Sequence, residues 1–206
     1  KEGMGVWAAK TILSRDEIAA YAICNRLQPQ VALMPCHATH AISERFGDAN
    51  MADTKSYGWA GKILRVNLTT GSITTEPTDP YKEYIGGMGL ANKIVYDEVA
   101  PGTDPLSEES KIVYAVGPLT ASGVPLAGRT TISFLSTYTT DHQVVDAHCG
   151  GMLGAKIKMA GYDAIIIEGK SDKPVYLHIK NDQVEIKDGS MVWGLGTRAT
   201  TEVLNR

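Results

Sequence analysis

From residue 57 onward the apolar and polar positions fall into short periodic runs. Leu64, Val66 and Leu68 alternate with Arg65 and Asn67, the period-two signature of a half-buried strand. Thr69-Thr-Gly71 predicts a three-residue hairpin loop with glycine where a positive φ is needed, and Ser72–Glu76 returns as the partner strand. Asp79-Pro80 supplies an N-cap and a first-turn proline for a short helix that Gly86-Gly87 ends. Gly89–Val99 predicts a second helix, stopped by Pro101-Gly102, and Lys111–Val116 a short strand running into Gly117-Pro118.

Thr130–Ser136 and Gln143–Ala147 read as strands joined by a polar turn. Gly151–Ala160 reads as a helix with Met152, Ala155 and Met159 on one face, and Ala164–Ile167 as a strand buried on both sides. Val175, Leu177 and Ile179 alternate with Tyr176, His178 and Lys180 before Asn181-Asp182 turns the chain into Val184–Lys187. These elements predict an α+β fold, rich in hairpins and poor in helices. Because strands are joined mainly by short turns, a doubly wound nucleotide fold is not expected.

Composition alters this picture little. The 206 residues are 43% hydrophobic and 21% charged, with a formal net charge of -3, ordinary values for one globular domain with or without an extension. The near-neutral balance lacks the basic stripe of a nucleic-acid binder. No apolar run reaches bilayer length and no secretory signal is visible. The three cysteines, Cys24, Cys36 and Cys149, are too scattered for a disulfide framework, so a cytoplasmic location is expected. Residues 1–50 share no motif with residues 51–206. Ile12–Tyr21 could form a helix capped by Ser14, with Glu17 at the capping-box position. Met51 looks like a natural start, which makes residues 1–50 upstream sequence translated in frame or an N-terminal extension, and residues 51–206 a domain incomplete at its C-terminus.

The chemistry concentrates in Val145-Asp-Ala-His-Cys-Gly-Gly-Met-Leu-Gly154. Paired glycines at a strand-to-helix switch expose backbone N–H groups and admit a phosphate or pyrophosphate, although they also serve tight packing. Arg129, in Pro125-Leu-Ala-Gly-Arg129, follows a small flexible segment and precedes a strand; its planar guanidinium could fork onto a phosphate or simply face solvent. His148 and Cys149 invite a metal reading, but neighbours on a strand point to opposite faces and no second pair lies at zinc-ligand spacing. Cys149 therefore reads as a packing residue. Gly86-Gly-Met-Gly89 lacks the dinucleotide fingerprint, and Gly117-Pro-Leu-Thr120 could merely redirect the backbone. Asp163 and Glu168 read as solvated or capping carboxylates.

Several stretches together resemble the N-terminal domain of the aldehyde:ferredoxin oxidoreductase family, the tungsten- or molybdenum-pterin enzymes. They are Gly58-Trp-Ala-Gly-Lys-Ile-Leu-Arg-Val-Asn-Leu-Thr-Thr-Gly71, Gly86-Gly-Met-Gly89, Tyr96-Asp-Glu-Val99, Gly117-Pro-Leu-Thr120, Gly128-Arg129 and Gly150-Gly151. Lys158-Met-Ala-Gly-Tyr-Asp-Ala-Ile-Ile-Ile-Glu-Gly-Lys170, Lys173-Pro-Val-Tyr176 and Trp193-Gly194 continue the likeness in the same order. The resemblance implies a pseudo-symmetric α+β base carrying a bis-pterin cofactor whose phosphates magnesium bridges. It implies that Arg129 contacts the pterin, that the backbone of Gly150, beside Gly151, meets the cofactor, and that His148 offers its main-chain carbonyl to magnesium. Many relatives carry asparagine where His148 stands, and serine or another small residue at Cys149.

The implied reaction is oxidation of an aldehyde to its acid, with electrons passing through a [4Fe–4S] cluster to ferredoxin or another carrier. A homodimer of the complete protein is compatible with it. The cluster motif C-x-x-C-x-x-x-C is absent from the chain, so the cluster and the substrate pocket are expected in a C-terminal part beyond Arg206. Two alternatives remain beside this one: a free-standing pterin-binding module without catalysis, and a relative acting on another redox substrate such as an aromatic thioester.

Overall fold

The computed structural model describes residues 57–205. The Ile12–Tyr21 helix, Met51, Cys24, Cys36 and the 1–50 boundary lie outside the described residues.

Eight strands, three α-helices and one 3-10 helix follow one another through those residues. Strands β1 (Lys62–Asn67) and β2 (Ile73–Pro77) form the expected hairpin, with Gly71 at φ +70. A 3-10 helix over Asp79–Tyr84 leads to α1 (Gly87–Glu98) and then to β3 (Lys111–Val116). Strands β4 (Thr130–Leu135) and β5 (Val144–Cys149) form a second hairpin, followed by α2 (Leu153–Met159) and β6 (Ala164–Glu168). The hairpin of β7 (Val175–Lys180) and β8 (Gln183–Asp188) and the helix α3 (Thr197–Leu204) complete the series.

The first six strands make one mixed sheet in the order β2-β1-β6-β3-β4-β5, and β7-β8 is a separate pair. Among the described residues only β1 and β6 run parallel; every other pairing is antiparallel. The α+β expectation holds, with two unequal sheets among the described residues. Strand β6 is central, and Ala164–Ile167 is buried on both faces as its apolar run predicts. On one face α1 packs Leu90, Ala91, Ile94 and Val95 over Ile63, Val113 and Ile166. On the other, Leu153, Ile157 and Ala160 from α2 and its C-cap join Leu177 and Ile179 of β7 over Leu64, Val66 and Ile165.

Three expectations need correction. The first short helix is a 3-10 turn that ends at Ile85, a non-glycine residue at φ +61, while Gly86 serves as N-cap of α1. Helix α2 starts at Leu153 because Gly151 and Met152 form the turn, and Met152 and Met159 are exposed while Leu153 and Ile157 face the core. Of the carboxylates flanking β6, Asp163 is the capping one of the two expected kinds, whereas Glu168 is neither solvated nor a cap. Asp163 is fully buried and caps the backbone, and Glu168 sits in an ion-pair network.

That network joins Arg65 to Glu76, Glu98 and Glu168, and Lys111 to Glu98 and Glu168. Burial alone would raise the Glu98 and Glu168 carboxyls, but hydrogen bonds from Arg65 to Glu98 and from Lys111 to both outweigh it and hold both below the usual carboxylate value. A depressed folded-state pKa contributes stability that is whole above the unfolded value of about 4.3 and is lost as pH falls through the folded value. The urea midpoint is therefore expected to drop between pH 5 and the acid limit. The Arg65→Met variant should start lower at pH 7 and fall less over that range. Parallel pH profiles for the two proteins would show that the network does not carry the acid sensitivity.

Candidate functional site

The glycine turns gather at one end of the sheet, where β3 ends, β4 begins and β5 ends. Register accounts for this. Thr130 pairs with Cys149, and continuing that register by one and then two steps sets Arg129 opposite Gly150 and Gly128 opposite Gly151. A Cβ added at Gly128 would lie 3.4 Å from the Gly151 carbonyl oxygen. Arg129 and Gly150-Gly151, which are far apart in sequence, are thus neighbours across a strand pair.

The segment between β3 and β4 closes on itself. Thr120 donates its N–H to the Gly117 carbonyl at 3.1 Å and its Oγ1 to the Ala127 carbonyl at 3.0 Å, so Gly117-Pro118 does redirect the backbone. Ala121 and Leu126 occupy the left-handed region at φ +63 and +64, and Leu126 is 100% exposed. Gly86 joins the same end, its missing Cβ facing Val116, Gly117 and Pro118. The Gly86 turn lacks the dinucleotide fingerprint, and what it meets is the end of β3, later in the chain.

Gly154 is where α2 touches the sheet. A Cβ there would lie 2.8 Å from Thr130 Oγ1 and 3.1 Å from the Gly128 carbonyl oxygen. One is buried and the other is backbone, so neither yields easily. Gly154→Ala is expected to destabilise the protein by about 1–3 kcal/mol through overpacking. An unchanged urea midpoint would mean that α2 can slide away from β4.

The site residues differ in how their polar groups are used. Arg129 is exposed, and none of the described residues gives its guanidinium a hydrogen bond or ion pair. Cys149 points to the α2 face and packs against that core, as expected of a packing residue; burial pushes its thiol up, only partly offset by Thr130 and Arg129. The Cys149 thiol lies beside Thr130 Oγ1, which is buried without a well-formed hydrogen bond. His148 lies in β5 and is paired with Thr131. Its Nε2 meets Asp146 Oδ2 at 2.7 Å and its Nδ1 meets Thr131 Oγ1 at 3.2 Å. No group of three or more His, Cys, Asp or Glu side chains suited to a metal occurs among the described residues.

The His148 main chain is the more available donor. Ser136 donates its N–H to the Gln143 carbonyl at 2.8 Å, which makes that opposed pair a hydrogen-bonded one. Counting along the ladder, the pairs through Val145, Ala147 and Cys149 are hydrogen-bonded as well, whereas Val144, Asp146 and His148 occupy the alternate positions. Among the described residues β5 is an edge strand, so the His148 carbonyl points out of the sheet with none of their strands beyond it. A free guanidinium and an outward carbonyl beside a glycine turn suit an anion together with its counter-cation.

Asp163 holds this end of the sheet from beneath. Its carboxylate accepts hydrogen bonds from the N–H groups of Ala60 and Gly61 at 2.9 and 2.7 Å, from Thr78 Oγ1 at 2.8 Å, and from Lys158. Its own N–H donates to the Lys62 carbonyl and its carbonyl accepts from Val116. One residue thereby fixes the approach to β1, the start of the 3-10 helix, α2 and the end of β3.

Sheet and site together make an α+β platform with the chemistry to receive an anionic ligand at one end. The family model for "Aldehyde ferredoxin oxidoreductase, N-terminal domain" matches residues 63–206, and the chain belongs to that family. A tungsten-containing aldehyde ferredoxin oxidoreductase of Pyrococcus furiosus is 41% identical over 152 residues, 73% of this chain and 25% of that protein. An aliphatic sulfonate oxidoreductase, WOR-like subunit, of the same organism is 39% identical over 145 residues, 68% of this chain and 23% of that protein. Among solved structures, the active-site complex BamBC of benzoyl coenzyme A reductase with 1,5-dienoyl-CoA superposes with a TM-score of 0.68. It is 39% identical and covers 72% of this chain and 23% of that one. The chain thus spans about a quarter of the length of the relatives it matches.

Proposed function

We propose that this chain supplies the base on which a tungsten or molybdenum bis-pterin cofactor lies, in an oxidoreductase that converts aldehydes to carboxylic acids. The observation that carries it is the meeting of Arg129, the outward His148 carbonyl and Gly150-Gly151 at one end of the sheet. Membership of the family supports tungsten and the pterin. The residues fit such a group: an uncommitted cation for a phosphate, a carbonyl oxygen for magnesium, and glycines that leave the backbone open to close approach.

In this reading Arg129 would hold a phosphate of the pterin group, and the His148 carbonyl would be a ligand for magnesium. Gly150 and Gly151 line the cofactor edge, with Cys149 packed behind them. When bound, the metal–pterin group supplies the two-electron chemistry by which an aldehyde and water become an acid, two protons and two electrons. This chain's own residues bind and orient that group. These 206 residues contain no C-x-x-C-x-x-x-C set, so a [4Fe–4S] cluster serving ferredoxin or a similar carrier would be held by residues other than these. The three relatives carry different substrate names, so family membership alone leaves the substrate open within this class. The domain is taken to begin after residues 1–50, in keeping with a family match that starts at residue 63.

Metal and pterin analysis of the full-length protein tests this. Tungsten or molybdenum at one atom per two pterins, with magnesium, is the expected result. A purified, folded protein free of pterin would sink the proposal.

A further inference from the structure

The open edge of β5 raises a mechanical question: what keeps the His148 carbonyl aimed? Most of β5 is exposed, and among the described residues no strand lies outside it to fix the peptide plane. Among the described residues, cross-strand support at this rung comes from side chains. The imidazole lies between Asp146, two residues back on the same face, and Thr131, directly across on β4. One tautomer satisfies both contacts, with Nε2–H donating to Asp146 and Nδ1 accepting from the Thr131 hydroxyl. Thr131 is only 4% exposed, in an inner strand. At the neighbouring rung Ser133 Oγ donates to Asn92 Oδ1 of α1 at 2.6 Å, which ties β4 to the helix. Through Thr131 the imidazole is therefore anchored to the rigid part of the sheet.

We infer that the Asp146–His148–Thr131 chain is a positioning clamp: it locks the end of β5 so that the His148 main-chain carbonyl presents to magnesium, while the imidazole itself is not a ligand. The inference rests on the proposed function and adds residues that it does not use. Thr131 and Asp146 are positioning residues in the sense that partners behind a metal ligand set its orientation, and losing such a partner typically weakens metal binding about 10- to 100-fold.

The test is magnesium retention by the full-length protein during dialysis against graded EDTA, read by elemental analysis, with the urea midpoint measured alongside. Thr131→Val keeps the shape and removes the hydroxyl; it should lower the EDTA concentration for half-removal about tenfold. Thr131→Ser should restore it. Asp146→Ala, at an exposed position whose replacement spares the core, should weaken retention in the same direction. His148→Ala combined with Thr131→Val should be no weaker than His148→Ala alone, because both remove one clamp. Wild-type retention in Thr131→Val and Asp146→Ala, with loss in His148→Ala, would overturn the clamp and make the imidazole a direct ligand. A wild-type protein that holds pterin and tungsten or molybdenum without magnesium would overturn the clamp while leaving the cofactor base in place. Absence of the pterin as well would remove both.

Discussion

Asp163→Ala is expected to lower the unfolding free energy by about 3–5 kcal/mol, the usual cost of removing one partner from a buried ion pair. The carboxylate is fully buried, and its loss strands Lys158, whose side chain is 10% exposed, together with two backbone N–H groups and the Thr78 hydroxyl. Lys158 keeps a hydrogen bond to the Gly58 carbonyl at 2.9 Å and stands 5.7 Å from the centre of the Trp59 ring, so some of its needs remain met. Adding Lys158→Met to the Asp163→Ala protein should recover part of the loss by removing the stranded ammonium. Urea unfolding of the four proteins closes the cycle. A single-variant cost below about 1 kcal/mol would mean that water replaces the carboxylate, and that Asp163 does not hold the site end of the sheet.

Arg129→Ala should have the largest effect on the cofactor. A charge-assisted hydrogen bond is worth about 1.5–3 kcal/mol, so the affinity of the full-length protein for the pterin group should fall about 10- to 100-fold. Because Arg129 is exposed and makes no hydrogen bond or ion pair with the described residues, the fold should not suffer. Arg129→Lys should lie between the two, since it keeps the charge and loses the planar fork. Pterin and metal content of the purified proteins, with unfolding midpoints as control, is the measurement. Full cofactor content in Arg129→Ala would remove arginine from the site.

Much of the fold was legible because burial leaves a local signature. The alternation around Leu64 and Val66, the return of Val175, Leu177 and Ile179, and the unbroken run at Ala164–Ile167 each gave the strand found there. Helix α2 was harder. Seven residues make about two turns, and both of its faces carry apolar side chains, so only the neighbouring sheet decides that Leu153 and Ile157 go inward rather than Met152 and Met159. Arg129 and Gly150-Gly151 could be picked out by residue type, but their adjacency follows from a register between β4 and β5 that no local pattern encodes. The same register hid the Thr131–His148 contact and the outward carbonyl. Asp163 shows the opposite problem, since a carboxylate beside an apolar strand has the same local sequence whether solvent or three separate segments surround it.

The place of β6 also bears on how the chain reaches this structure. Its parallel partner β1 pairs Ile63 with Ala164 and Asn67 with Glu168, so about a hundred residues separate the two strands at the centre of the sheet. Until β6 leaves the ribosome, the β1–β2 hairpin and the β3–β4–β5 meander cannot join, and each exposes an inner edge. At about 5–20 residues per second, that interval lasts roughly 5–20 s. For that interval the inner edges of β1 and β3 stand open, so synthesis speed and any helper that shields strand edges bear on the yield of folded protein.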